Sequence, residues 1–154
     1  MEFIQSKDNK TIKRIISLRQ RKNRQKNGEY IVEGIRSIRD IAAMGAVKTI
    51  VIRESKAQDK NILDLLDLDT VQSVPKYIAQ DPVFDKVDNT VNGQGWVAIV
   101  SKPTYDIESI SIVDGLYITL DGVQDPGNLG TIIRTAVAAG VKGIFLMKGT
   151  VDSF

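Results

Sequence analysis

The stretch "GLYITLDGVQDPGNLGTIIRTAVAAGVKGIFLM", residues 115–147, predicts a strand, a loop, a helix and a second strand in that order. "GLYITL" and "KGIFLM" are short apolar runs typical of buried strands. The helix is expected over roughly 128–139, with Gly140 ending it because glycine readily adopts the left-handed conformation that follows helices. This order predicts an α/β unit whose two strands are parallel and joined by a right-handed crossover.

The loop before the predicted helix is specified more closely than a simple turn requires. Gly127 and Gly130 would let the backbone approach a ligand, and a helix N-terminus favours an anion. The spacing is not the G-x-G-x-x-G of dinucleotide-binding proteins, and the Gly-Lys-Ser/Thr ending of nucleoside-triphosphate loops is missing. Asn128 could simply be the helix N-cap, which is its structural alternative to a place in a site.

Arg134 is the most informative residue of the helix. A cation in the second turn lies nearer the positive end of the helix dipole, so it should have a partner. One alternative is an ion pair with Asp121 or Asp125, and the other is a guanidinium that clamps a phosphate or an RNA ribose–phosphate. Thr131 and Thr135 are expected on the same face as Arg134. The apolar residues should form a buried stripe: Leu129, Ile132, Ile133, Ala136 and Val137.

Composition excludes several classes of function. The 154 residues are 42% hydrophobic and 26% charged, as in ordinary globular proteins. With neither cysteine nor histidine, the chain lacks disulfides, thiolate or imidazole metal ligands, a cysteine nucleophile and the usual general base. No apolar run approaches the ~18 residues of a membrane span, and "MEFIQSKDNK" is unlike a signal peptide. We therefore expect a cytoplasmic protein without a bound metal.

The charge is distributed unevenly along the chain. Residues 1–28 contain nine lysines and arginines against two acidic residues, a net charge of +7, which leaves −5 for the remainder of a chain whose total is +2. A basic segment on an acidic body suggests a polyanionic partner such as nucleic acid. A solvated helix with a lysine-rich face is the alternative.

The region upstream of residue 102 alternates predicted helices and strands, which favours a layered α/β or α+β unit. A helix is expected from Asn9 to about Lys26, closed by Asn27 and Gly28. "EYIVEG", "VKTIVIRE", "DTVQSV" and "GWVAIVS" are interpreted as strands. "GIRSIRDIAAMGA", "AQDKNILDLLD" and the segment "KYIAQ" after Pro75 are interpreted as helices. Residues 102–114 are interpreted as a linker between this domain, 1–101, and a second, incomplete domain, 115–154.

The second domain resembles the first conserved motif of the SpoU (TrmH-type) RNA ribose 2′-O-methyltransferases of the SPOUT superfamily. That motif, N-x-G-x-x-x-R, is matched by Asn128, Gly130 and Arg134, and Asp125-Pro126-Gly127 also fits it. "EYIVEGIRSIRDI" and "NGQGWVAIV" resemble the start and end of the amino-terminal substrate-binding domain of these enzymes, which is similar to the kink-turn-binding ribosomal-protein fold.

The resemblance implies methyl transfer from S-adenosylmethionine to a ribose 2′-hydroxyl of rRNA or tRNA, by a homodimer with a trefoil-knotted catalytic domain. Arg134 and Asn128 would be catalytic. Because guanidinium keeps its proton in proteins, Arg134 is expected to orient the hydroxyl and phosphate rather than act as a base. RNA contacts, which give affinity with little sequence information, would come from Lys13, Arg14, Arg21, Lys22, Arg36 and Gly130.

The family's second and third motifs, which supply the knot and the cofactor pocket, lie downstream and are not in this sequence. We therefore expect a fragment of a longer methyltransferase that is inactive alone and does not itself bind S-adenosylmethionine. The alternative is a module that binds structured RNA without performing chemistry.

Overall fold

A computed structural model describes residues 1–88, 93–105, 108 and 110–154. These form two compact units, Met1–Pro103 and Thr104–Phe154. Parts of the predicted linker 102–114, and the first residue of the "NGQG" turn, lie outside the described residues.

The first unit contains a mixed five-stranded sheet. Its strands, in chain order, are β1 (Glu2–Ile4), β2 (Glu29–Glu33), β3 (Val47–Arg53), β4 (Lys76–Ala79) and β5 (Trp96–Ser101). Their spatial order is β1-β4-β3-β5-β2. Strand β4 runs parallel to β1 and β3, whereas β5 is antiparallel to β3 and β2.

Helices cover both faces of this sheet. Because successive side chains of a strand point to opposite faces, Val51 of β3 packs in one apolar cluster while Ile50 and Ile52 pack in the other. The helices are α1 (Lys10–Ser17), α2 (Arg21–Asn27), α3 (Ile35–Ala43), α4 (Lys60–Leu66), α5 (Asp69–Gln72) and α6 (Asp81–Phe84), with a 3₁₀ turn at Glu54–Lys56. The first cluster includes residues of α1 and α6, and the second includes residues of α3, α4 and α5.

The basic segment is two helices, so the prediction of one helix to about Lys26 is wrong. Asn9 caps α1 by accepting a hydrogen bond from the Thr11 backbone N at 2.8 Å. Leu18 is fully buried beside α1, and Gln20 is extended before α2 starts. The chain breaks there because residues 21–27 contain no apolar side chain that could continue the buried stripe. The predicted end is confirmed: Gly28 has a left-handed φ of 63°.

Two further predictions are wrong. "DTVQSV" contains the short helix α5 rather than a strand, and "KYIAQ" contains strand β4 rather than a helix. Tertiary pairing decides the second case, because β4 lies between β1 and β3 and hydrogen-bonds to both. Neither β1 nor α6 was predicted. The strands "EYIVEG", "VKTIVIRE" and "GWVAIVS" and the helices α3 and α4 are confirmed.

The second unit is a strand, a helix and a strand: β6 (Tyr117–Leu120), α7 (Pro126–Ala138) and β7 (Gly143–Leu146). The two strands are parallel, as predicted, and Gly140 follows the helix with a φ of 71°. The predicted apolar stripe is only partly buried. Leu129 and Ala136 are buried, but Val137 is 71% exposed, because a two-stranded sheet covers only a narrow side of the helix.

None of the helices in the described residues is both long and apolar enough to cross a membrane.

Candidate functional site at the start of α7

Helix α7 is capped by Asp125, so the N-cap role considered for Asn128 is wrong. The Asp125 carboxylate accepts a hydrogen bond from the Asn128 backbone N at 2.7 Å. Pro126 explains this choice, since proline favours the first helical position and forces the preceding residue into an extended conformation. Asn128 is thus the third helical residue, and its side chain is exposed.

Arg134 reaches back along α7 toward its N-terminus, as long side chains on helices generally do. Its Nη2 donates a hydrogen bond to Thr131 Oγ1 at 3.1 Å, and that hydroxyl donates to the Gly127 carbonyl at 2.9 Å. Within residues 110–154, Arg134 forms no ion pair with Asp121 or Asp125. The ion-pair alternative is therefore wrong, and the guanidinium is held by a neutral hydroxyl in an exposed position.

Gly130 lies beside that guanidinium. A Cβ atom added at residue 130 would lie 3.4 Å from Arg134 Nη1, which is ordinary van der Waals contact with the end of a flexible side chain. Residues 130 and 134 are one turn apart on the same side of the helix. The structure therefore brings Gly130, Thr131 and Arg134 together, with the exposed Asn128 one turn before Thr131.

Thr131 is the residue whose role the sequence analysis did not identify. Its position, three residues before Arg134, was the available signal, because i and i+3 side chains are neighbours on a helix. The hydroxyl fixes one corner of the guanidinium and leaves its other N–H groups available to an anion. This arrangement can orient a phosphate or a hydroxyl oxygen, but it cannot remove a proton.

An open apolar groove lies beside the same helix. It has a volume of about 260 Å³, and Thr131 both lines it and contacts Arg134. The groove is lined by Leu116, Ile118, Thr131, Ile132, Thr135, Ala136, Ala139 and Val141. Across the described part of the chain, no group of acidic residues is placed to hold a metal ion.

The cationic residues predicted to contact RNA are in different environments. Lys13 pairs with Asp8 at 2.7 Å, and its hydrogen bond and charge lower the pKa of that carboxyl. Arg14 pairs with Glu29 through two hydrogen bonds. The remaining predicted contacts, Arg21 and Lys22 on α2 and Arg36 on α3, are exposed and form no ion pair with the described residues.

Comparison with known proteins agrees with this two-unit α/β architecture. Residues 9–98 match the MRM3-like substrate binding domain, and residues 115–154 match the SpoU rRNA Methylase family. The fold and the α7 motif thus define a protein in which a substrate-binding domain is joined to a methylase segment. The chain belongs to the MRM3-like substrate binding domain family through residues 9–98, more than half of its length, and its residues 115–154 carry the SpoU rRNA Methylase match.

Similar proteins support the same assignment. The chain is 36% identical over 149 residues to an uncharacterized tRNA/rRNA methyltransferase of Synechocystis, covering 97% of this chain and 54% of that protein. It is 31% identical over 155 residues to the 23S rRNA (guanosine(2553)-2′-O)-methyltransferase of Bacillus subtilis, covering 100% and 58%. A crystal structure of an rRNA methyltransferase from Sinorhizobium meliloti, also determined with AdoMet bound, superposes with a TM-score of 0.81 at 31% identity, covering 99% and 57%. The chain spans about half the length of the curated relatives it matches.

Proposed function

We propose that the whole protein methylates a ribose 2′-hydroxyl of ribosomal or transfer RNA with S-adenosylmethionine as methyl donor. The observation that carries this proposal is the exposed guanidinium of Arg134, held by Thr131 and paired with neither neighbouring aspartate. The family membership and the 2′-O-methyltransferase from Bacillus subtilis give the reaction class.

The roles of the site residues follow from their chemistry. Arg134 would hold the phosphate next to the reacting ribose and orient the 2′-hydroxyl, since a guanidinium binds oxyanions through several donors. Thr131 would position Arg134, Gly130 would lie against its side chain, and the exposed Asn128 would shape the neighbouring surface. A separate group must accept the hydroxyl proton, because arginine stays protonated.

S-adenosylmethionine would supply the methyl group when bound, but we assign none of the described residues to it. Binding pockets enclose ~70–90% of such a ligand and combine apolar walls with several convergent polar groups. The 260 Å³ groove beside α7 is open and almost wholly apolar, so its donor set does not fit an adenosyl and amino-acid ligand.

The first unit would hold the RNA substrate, as the name of its matching domain suggests. Arg21, Lys22 and Arg36 are the strongest candidates for phosphate contacts, whereas Lys13 and Arg14 would first have to leave Asp8 and Glu29. A homodimer and a cytoplasmic location remain predictions.

The experiment substitutes Arg134→Lys in the protein expressed from its complete reading frame. Lysine keeps the charge but lacks the planar fork, so we expect transfer of radiolabelled methyl groups to ribosomal RNA to fall roughly 10²-fold, the scale seen when one oriented donor is lost. RNA affinity and unfolding midpoint should stay the same.

Arg39→Lys on α3 is the matched control, since Arg39 is exposed and lies outside the site. Normal turnover by the Arg134→Lys enzyme would reject the orienting role. RNA binding with no methyl transfer by the unmodified protein would instead favour the alternative function, a structured-RNA-binding module.

A further inference from the structure

Helix α2 lies on the surface of the first unit, and none of its side chains is buried. All seven residues of Arg21–Asn27 are polar, and none is buried. Asn23 and Arg24 are half-buried, while the remaining residues are exposed. The exposed positions 21 and 25, and 22 and 26, are one turn apart, so Arg21, Lys22 and Lys26 share the outward side of the helix.

Hydrogen bonds from the inward side hold α2 in place. Asn23 Nδ2 donates to the Ser17 carbonyl at 2.9 Å. Arg24 Nη1 donates to the Leu18 carbonyl at 3.1 Å and to the Arg19 carbonyl at 2.8 Å. These carbonyls belong to the end of α1 and the residues just after it. The last carbonyls of a helix lack intrahelical partners and lie at the negative end of its dipole. The cationic side chain of Arg24 therefore supplies both a hydrogen-bond donor and a favourable charge at this end of α1.

Several other cations of the basic segment are used in similar internal contacts. Arg14 pairs with Glu29, and Lys13 pairs with Asp8. Arg19 Nη2 donates to the Lys86 carbonyl at 2.9 Å. By contrast, Arg21, Lys22 and Lys26 form no side-chain hydrogen bond or ion pair within the described ranges. Like charges one turn apart repel each other, and a bound polyanion would relieve that repulsion.

We propose that α2 is a phosphate-binding helix for the RNA backbone, in which Arg21, Lys22 and Lys26 contact phosphates. Asn23 and Arg24 are positioning residues that fix this helix to the end of α1. The RNA partner rests on the proposed function. An anionic membrane fits less well, because an interfacial helix needs an apolar face to insert and α2 has none.

The first test uses this 154-residue chain and a fluorescein-labelled RNA hairpin. A double variant, Arg21→Gln with Lys22→Gln, should lower the slope of log K against log salt by roughly 1.4–1.8 and raise Kd about 20-fold at ~0.15 M salt. The matched control is Lys48→Gln with Lys60→Gln, which removes two exposed cations from β3 and α4 and should leave Kd unchanged.

The second test separates positioning from simple charge. Arg24→Lys keeps the charge but shortens the side chain and removes the planar guanidinium that reaches the Leu18 and Arg19 carbonyls, and Asn23→Ala changes no charge. Each should raise Kd by about fivefold, comparable to losing one phosphate contact, with the fold intact by circular dichroism. Arg39→Lys is the matched control.

The outcomes decide the proposal. Unchanged Kd for the Arg21/Lys22 double variant would overturn the phosphate-binding helix, and so would equal competition by anionic lipid vesicles. Unchanged Kd for both Arg24→Lys and Asn23→Ala would overturn the positioning role. These results are independent of the Arg134→Lys methylation test, so a failure here is distinguishable from a failure of the proposed enzymatic function.

Discussion

The two units of this chain differ in how completely their sheets are buried. In the first unit, helices cover both faces of five strands, and the central strands β3 and β5 are almost entirely buried. In the second, one helix packs with two strands, and Leu116, Val137 and Met147 are exposed. The buried apolar residues of the first unit therefore stabilise its fold. The second unit instead has the Asn128–Arg134 motif and an apolar groove on its surface.

The contrast repeats in two arginines. Arg53, at the end of β3, is only 19% exposed, pairs with Asp85 at 2.8 Å and Asp88 at 3.1 Å, and lies 4.9 Å from the centre of the Phe84 ring. Arg134 is exposed and bonds only to Thr131 among the described residues. The first arginine joins elements of a core, and the second is available to a ligand.

The largest expected difference concerns apolar packing. Ile99→Ala, at a fully buried position of β5, should lower the free energy of unfolding by about 2–5 kcal/mol, because a cavity remains. Ile132→Ala in the second unit should cost about 1 kcal/mol, since its side chain lines an open groove and only part of the transfer free energy is lost.

Urea unfolding measures the first change and hydrogen exchange of β6 and β7 measures the second. Trp96 is the sole tryptophan and is buried in the first unit, so its fluorescence reports on that unit alone. Equal losses at the two positions would contradict the difference in burial.

A smaller effect is expected for Arg53→Met. Desolvation lowers the pKa of Arg53, but hydrogen bonds to Asp85 and Asp88 outweigh it and raise the pKa overall, so the residue is a firmly charged partner. Removing it should cost about 1–3 kcal/mol, less than for a fully buried pair because Asp85 is mostly exposed. Trp96 fluorescence during urea unfolding gives the value.

Arg134→Met is the comparison variant, and it should change stability by less than about 0.5 kcal/mol, as is usual for surface substitutions. Hydrogen exchange of α7 amides is the measurement. A loss as large as that of Arg53→Met would mean that Arg134 has a structural partner.

The parts of the fold that the sequence predicted are those fixed by local pattern. The run "VKTIVIRE" and the strand–helix–strand order of residues 117–146 could be predicted because apolar runs and glycine caps are local signals. Strand β4 could not, because its conformation depends on pairing with β1 and β3, which are distant in sequence. The break in the basic segment did have a local signal, because residues 21–27 contain no apolar side chain that could continue the stripe of α1.

The motif names the residues of the candidate site but not their contacts. Asn128, Gly130 and Arg134 stay predictions drawn from the motif, and helical spacing places Thr131 on the same face as Arg134. Arg134 bonds to Thr131 rather than to an aspartate because of where α7 begins. Pro126 holds Asp125 in an extended conformation, and the helix therefore begins immediately after Asp125. A shift of the cap by three residues moved Asn128 from a capping role to an exposed one.

The N-caps of α7 and α4 can be compared directly, because each should contribute about 1 kcal/mol to the free energy of unfolding. Asp125 caps α7 and Asp59 caps α4, where its carboxylate accepts from the Asn61 backbone N at 2.9 Å. Replacing either by alanine should cost about 0.5–2 kcal/mol. Only Asp125→Ala should also reduce methyl transfer by the whole protein, because the first turn of α7 supplies the Gly127 carbonyl that holds Thr131. Reduced transfer by Asp59→Ala would contradict this separation of roles.

The smallest expected effect is the acid dependence contributed by Asp81 in the first unit. The carboxylate of this half-buried residue accepts a hydrogen bond from the Ser55 backbone N at 3.1 Å. Hydrogen bonds from Ser55, and more weakly the charge of Arg53, lower the pKa of Asp81. A carboxyl whose pKa is lower in the folded state contributes stability above its unfolded pKa and loses it as pH falls through the folded value.

Asp81→Asn removes that titration while keeping an oxygen that can accept from Ser55. Urea midpoints followed by Trp96 fluorescence from about pH 6 to about pH 3 should therefore fall less steeply for the variant than for the unmodified chain, with the two curves approaching each other at the acid end. Asp64→Asn, at an exposed position of α4 with no hydrogen bond among the described residues, is the control and should follow the unmodified curve. If the Asp81→Asn curve also runs parallel to that of the unmodified chain, the Ser55 contact does not form in solution. The stability of the first unit would then rest on its two apolar clusters and on Arg53.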